Sequence, residues 1–445
     1  MKHKIHFFCW TVFSTVAISG SVQAQEIYTL EQCKAEALKE SLQLKADALD
    51  LDKTNASIKQ AYSALLPSIT INGNYQYSPQ VQTSVLPGET FGGQAGSYSA
   101  AQLGVAQNTS AAAELSQTLF NASSFIALKA AKLVVSGNEL QIRSSREDLV
   151  YNVSATYYNI QSILKKEELT SLSLQNTEEL LKSCSDQFAA GLATQTDVDR
   201  LTVTRDNTRA DLEGLHNSRE KYFNLLKVLM NMPLKKQIAI EPFKDEDLAA
   251  SSLTEYNAQQ KTNYQQVLYN KKISELEYKN INSGYLPTLS AYASYGLYGY
   301  NNEFSPIQYI NDKFYAASSV GLRLKVPVFD GFSIKYKARA KKIDISRLDI
   351  QAEQVLQQNE KDVADAAADL SSNLITYQSQ KRNLVLARKI MTDINVQYQS
   401  GLVKVTDVIN TTSDQQTAQN NYVSALINIK QAELNLKKAK GNLLP

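Results

Sequence analysis

The sequence predicts a mainly α-helical chain of long coiled-coil helices that also contributes four short β-strands to a membrane β-barrel. Three observations carry this prediction: two helical stretches of unusual length, four segments of two-residue alternation, and a duplication that repeats these elements in both halves.

The helices come first. From Ala122 to Ala189 there is no proline, and the only glycine is Gly137. Val153, Tyr157, Ile160 and Leu164 recur at steps of four, three and four. A second stretch, Phe332 to Gln399, carries Leu384, Ala387, Met391, Ile394 and Tyr398 at the same kind of spacing. Such spacing lays one narrow apolar stripe along a helix, as coiled-coil packing requires. At 1.5 Å per residue a helix of about 68 residues extends about 100 Å. That exceeds an ordinary globular domain, so these helices are expected side by side in a bundle or tube.

The strands follow. Ile69, Ile71, Gly73, Tyr75 and Tyr77 alternate with Thr70, Asn72, Asn74 and Gln76. Val320, Leu322, Leu324, Val326 and Val328 alternate with Gly321, Arg323, Lys325 and Pro327. Weaker alternation around Ala111–Leu119 and Leu289–Tyr300 completes the set, giving strands near 69–78, 103–120, 288–300 and 314–329. Alternation over about 9–11 residues suits a tilted transmembrane strand. A half-buried soluble strand gives the same pattern, but four segments in two pairs, each bracketed by long helices, favour the membrane. The connectors Pro79–Gln102, rich in Gly, Ser and Gln, and Asn301–Lys313 read as exposed loops.

Residues 1–24 have the order of a secretory signal peptide: Lys2 and Lys4, then an apolar run from Phe7 to Gly20, then Val22-Gln23-Ala24 before Gln25. The run is short for a spanning helix, which needs about 20 residues. Gln25 rather than Cys follows the cut, so no lipid is expected on the new N-terminus. Without Lys2 and Lys4 the basic residues fall from 46 to 44 and equal the acidic ones. No basic surplus or stripe marks a nucleic-acid binder. Cys33 and Cys184 sit far apart in helical segments, and nothing requires them to pair. No later segment reads as a transmembrane helix, yet the chain holds 24 Tyr; export without spanning helices leaves either a soluble protein or a β-barrel.

The halves repeat each other. Leu65-Leu66-Pro67 corresponds to Tyr285-Leu286-Pro287, and Leu119-Phe120-Asn121 to Val328-Phe329-Asp330. The fullest match pairs Phe188–Val198 with Tyr398–Val408, where Gly191, Leu192, Thr196, Asp197 and Val198 meet Gly401, Leu402, Thr406, Asp407 and Val408. Repeats are expected at 25–254 and 255–445, each reading helix, strand, loop, strand, long helix, tight turn, helix. Gly191 and Gly401 suit the left-handed end of a long helix, and the Thr and Asp beyond suit caps of the next.

Four strands cannot close a barrel. Inside lipid every edge N–H and C=O must be paired, and closure takes about eight strands. Several copies of the chain must therefore pool their strands.

Taken in order, Ala64-Leu65-Leu66-Pro67, Val326-Pro327-Val328-Phe329-Asp330-Gly331 and the duplicated Gly-Leu-x-x-x-Thr-Asp-Val turns resemble the TolC-like outer-membrane factor family over nearly the whole mature chain. The resemblance implies a homotrimer with a twelve-stranded barrel in outer-membrane lipid and a long α-helical barrel in the periplasm. It implies a non-enzymatic, cofactor-free exit duct for efflux or type I secretion. A periplasmic adaptor, fed by an inner-membrane RND, ABC or MFS transporter, would dock at the turns of Gly191, Leu192, Thr196, Gly401, Leu402 and Thr406. Asp407 falls where family members place an acidic residue at the pore constriction. Asn410, one turn on, stands where some have a second acid, so a less acidic ring is expected. Tyr398 matches a gate-latch position whose hydroxyl bonds an aspartate, here Asp197. A basic latch residue of the family is replaced by Val403, with Lys404 next to it. Capping by the aspartates and packing of Tyr398 explain the same residues without a gate.

Catalytic chemistry finds little support. His216, the one histidine beyond the signal peptide, lies on a polar helix, and no phosphate-binding glycine loop is present. A soluble periplasmic coiled-coil scaffold or adaptor is the alternative, and a secreted helical toxin or filament subunit a distant third.

Overall fold

The computed structural model describes residues 26–243, 256–302 and 314–444. The expected signal peptide, most of the second loop and the expected boundary between the repeats lie outside the described residues. In chain order the elements are β1 (Glu26–Tyr28), α1 (Leu30–Glu40), α2 (Leu42–Ser63), β2 (Ser68–Tyr77), β3 (Thr83–Pro87), β4 (Tyr98–Gln102), β5 (Gln107–Phe120) and α3 (Ala122–Ala189). They continue as α4 (Gln195–Leu229), β6 (Ile238–Ile240), α5 (Thr262–Ser283), β7 (Thr288–Asn301), β8 (Phe314–Lys325), α6 (Ser333–Gln399) and α7 (Val405–Lys440).

Two compact units divide these elements. The described residues of the first come from 26–39, 153–243 and 378–427, and those of the second from 40–152, 256–302, 314–377 and 428–444.

The second unit holds an antiparallel sheet in the order β2-β5-β7-β8. Its register sorts the side chains into continuous rows, because residues directly opposite on an antiparallel ladder share a face. Ile69, Leu115, Ala293 and Val320 form one row, while the adjacent row is Thr70, Glu114, Ser294 and Ser319. One face is thus largely apolar and the other largely polar. The apolar face is uncovered at both flanks: Ile69 is 70% exposed, Ile71 78% and Val320 86%. A soluble half-buried strand would hide these side chains against its own core, and this chain does not. On the polar face Tyr292 lies across Gly321, where a Cβ would come within 2.7 Å of its hydroxyl. The Arg323 guanidinium sits 5.2 Å from the centre of the same ring.

Three details depart from the sequence reading. The last strand ends at Lys325 rather than near 329, since Pro327 has no N–H to give to a ladder. The second strand starts at Gln107 rather than 103. The connector before it contains the β3–β4 hairpin and a single 3-10 turn, Gly88–Phe91, rather than a plain loop.

In the first unit β1 and β6 pair in parallel over three residues each, too few for periodicity to reveal. Tyr157 donates a hydrogen bond to the Tyr28 carbonyl at 3.2 Å, and Gln161 donates to the Glu241 carbonyl at 2.9 Å. The Lys236 ammonium lies 3.0 Å from the Tyr28 hydroxyl and 2.9 Å from Glu26. Cys33, Val153, Ile160, Leu226 and Met230 are buried. Cys33 and Cys184 are free thiols, and burial pushes Cys33 up to about 12.

Candidate functional site: the paired helical turns

In the first unit, α3–α4 and α6–α7 each form a hairpin with the same stop signal. Gly191 has φ +73° and Gly401 φ +71°, the left-handed region that costs glycine little. In the first turn Gly191 N–H bonds the Phe188 carbonyl and Leu192 N–H bonds that of Gln187, at 2.9 and 2.8 Å. In the second, Gly401 bonds Tyr398 and Leu402 bonds Gln397, both at 2.9 Å. These nested pairs satisfy the carbonyls left over at a helix end. They also push Leu192 and Leu402 outward, 81% and 75% exposed.

The starts of the following helices differ. Thr194 caps α4: its hydroxyl accepts from Asp197 N–H at 3.2 Å and donates to Asp197 Oδ2 at 2.7 Å. The same carboxylate oxygen accepts from Thr194 N–H at 3.1 Å, closing a reciprocal box. The Thr194 hydroxyl holds the Asp197 carboxyl below the ordinary aspartate value, with Arg200 contributing. At the second turn Lys404 stands where Thr194 stands in the first. Asp407 Oδ2 accepts from Lys404 N–H at 3.1 Å, but no side-chain oxygen returns the bond.

Tyr398 is buried in a cluster with Cys184, Leu201, Met391, Val405 and Val408. Its hydroxyl donates to Gln187 Oε1 at 2.9 Å. The expected hydrogen bond to Asp197 is not formed, because the Asp197 carboxylate is held by Thr194; the two groups meet only through longer-range charge. Burial, with Cys184 beside it, raises the Tyr398 phenol above its usual value. The sequence reading does not single out Gln187; its place four residues before Gly191, the glycine expected to end the helix, is the signal that marks its neighbourhood.

Asp407 and Asn410 are both exposed on α7, three residues apart. Asp414, also exposed, extends the stripe by one heptad, and the spacing from Asp407 was the signal that would have found it. Asn410 and Thr406, with Ile409, line one side of a groove of about 380 Å³. Thr196, Arg200 and Val203 of α4 line the other.

A sheet with one apolar and one polar face, joined to helices of 68 and 67 residues that turn through capped hairpins, is the fold of the TolC-like channels. The chain belongs to the outer membrane efflux protein family, whose model matches residues 35–231 and 276–442. It is an outer-membrane protein with a large periplasmic portion. It is 21% identical over 438 residues to outer membrane protein TolC of Escherichia coli strain K12, covering 96% of this chain and 85% of that one. Among solved structures it is similar to CusC, described for transmembrane channel formation, with TM-score 0.74, 16% identity and coverage of 93% and 92% of the two chains. It is also similar to the outer membrane protein VceC of Vibrio cholerae, with TM-score 0.70, 15% identity and coverage of 93% and 96%.

Proposed function

We propose that three copies of this chain form a gated, non-enzymatic exit duct, through which substrates handed over by a periplasmic adaptor and inner-membrane pump reach the exterior. The observation that carries this reading is the sheet. Its apolar face is open, and β2 and β8 are edges with no further strand paired to them among the described residues. Lipid removes every alternative hydrogen-bond partner for such edges, so β8 of one copy must meet β2 of the next. Three copies give a closed twelve-stranded wall whose polar face lines the conduit. The two sequence repeats, 25–254 and 255–445, would supply two strands and one hairpin each.

The turns support the gate. In the trimer the exposed carboxylates of Asp407, with Asn410 and Asp414 on the same stripe, would form a ring that attracts cations. Tyr398 anchors this hairpin to α3 through Gln187, so the latch is proposed between Tyr398 and Gln187, with Asp197 serving as a cap. Leu192 and Leu402, with Gly191, Gly401, Thr196 and Thr406 around them, offer exposed apolar tips for an adaptor.

Detergent-extracted protein is expected to run as a trimer that collapses to monomer on heating, and its channels in planar bilayers should lose cation preference in Asp407→Asn. A monomer recovered from the soluble periplasm would overturn the duct in favour of the scaffold alternative. Unchanged ion preference in Asp407→Asn would remove the gate ring alone.

A further inference from the structure

We propose that the corner between β8 and α6, residues 326–342, is a binding site for anionic phospholipid headgroups at the periplasmic surface of the outer membrane. It rests on the barrel reading, which places the helix end of the sheet at that surface.

The apolar alternation of β8 continues past the strand. Val326 and Val328 are 53% and 94% exposed, although neither lies in a hydrogen-bonded ladder. The chain then turns through two left-handed residues, Gly331 at φ +65° and Phe332 at φ +63°. The second is a bulky residue in a region such residues avoid, so strain is held at this corner. The strain brings Phe332 edge-on to Phe329, ring centres 5.4 Å apart, yet both rings stay exposed. Nothing in the protomer's own core accounts for these rings. Asp330 fixes the turn by accepting the Ile334 N–H at 2.6 Å.

Beyond the aromatics α6 becomes basic over 335–342, a local stripe that the balanced overall charge conceals and that departs from the sequence reading. Lys335, Arg339 and Lys342 fall at i, i+4 and i+7, which places them along one stripe of the helix, and all three are exposed. None of the three has an ion pair among the described residues, whereas neighbouring Lys341 is engaged by Glu277 and Asp344. Lys335 lies over the Phe332 ring at 5.6 Å. At 1.5 Å per residue Lys335 and Arg339 stand about 3 and 9 Å along the axis from Ser333, within side-chain reach of a headgroup layer. Exposed aromatics beside unpaired cations match the two zones of a bilayer interface, acyl boundary and phosphate. The equivalent corner of the first half has Asn121 in place of Asp330, and only Lys129 and Lys132 follow it within ten residues of the helix start. The stripe is therefore a property of this corner and not of the repeat.

The test places the full chain in nanodiscs of mixed phosphatidylglycerol and phosphatidylethanolamine and counts lipids retained on release by native mass spectrometry. The wild type should retain phosphatidylglycerol preferentially. The triple variant Lys335→Gln, Arg339→Gln, Lys342→Gln should lose that preference at least fivefold, at about fivefold per charge near an anionic surface. Lys389→Gln, farther along the same helix, should leave it unchanged. Phe332→Gly, which relieves the strain, should lower retention of both lipids while the trimer persists. Equal retention by wild type and triple variant would overturn the site. Failure of the wild type to enter nanodiscs at all would overturn the barrel and this inference together, and would show as loss of every lipid.

Discussion

The two hairpin turns of the first unit share a backbone and differ in what surrounds it. Phe188 and Tyr398 occupy the same position before their glycines, yet Phe188 is 43% exposed and Tyr398 7%. Val198 is half-buried, while its counterpart Val408 is fully buried. The first turn closes a reciprocal capping box that occupies Asp197; the second, with Lys404 for Thr194, leaves Asp407 with one backbone partner. A duplicated motif has thus been divided: one copy is a finished cap, and the other is anchored by a buried tyrosine with its carboxylate turned outward. That division explains why the Tyr398 hydroxyl bonds Gln187, since Asp197 already has its hydrogen bonds from Thr194.

The comparison can be broken most sharply at the aromatics. Tyr398→Ala should destabilise the α6–α7 hairpin by about 3–4 kcal/mol, as large-to-small changes in cores do. Phe188→Ala should cost about 1 kcal/mol or less, because much of the ring already meets solvent. Amide hydrogen exchange in the two hairpins separates these effects, and equal losses would contradict the asymmetry. Gly191→Ala and Gly401→Ala should each cost about 1–2 kcal/mol, because both turns need the left-handed conformation. There the two turns are expected to agree. Thr194→Ala should then cost about 1 kcal/mol in α4, while Lys404→Ala leaves α7 nearly unchanged and Lys404→Thr slows exchange in its first turn.

The smallest effect is in pH. The Asp197 carboxyl is held below its ordinary value by the Thr194 hydroxyl, so the folded hairpin prefers the ionised form. Its stabilisation is complete above the unfolded value, about 3.9, and is lost as pH falls through the lower folded value. Exchange in the first turn of α4 should quicken only in that acidic range, and Thr194→Ala should weaken the dependence, leaving the part that the Thr194 N–H and Arg200 supply.

Much of this was legible along the chain, and the reasons are local. Helix-period spacing over Ala122–Ala189 and two-residue alternation at Val320–Leu324 follow from backbone geometry between near neighbours, so both can be read along the chain. The turn glycines were readable because only glycine takes φ near +70° without strain. What could not be read depends on distance in sequence. The β1–β6 pair joins segments about 210 residues apart through three residues each.

The sequence by itself determined the helices, the alternating strands and the duplicated turns. Only the tertiary structure decided that Tyr398 reaches Gln187, that Thr194 claims Asp197, and that Phe332 takes a left-handed backbone after β8. The physical reason is that periodicity and backbone sterics act between near neighbours, whereas the choice among competing hydrogen-bond partners is made only when distant segments are brought within about 3 Å of one another.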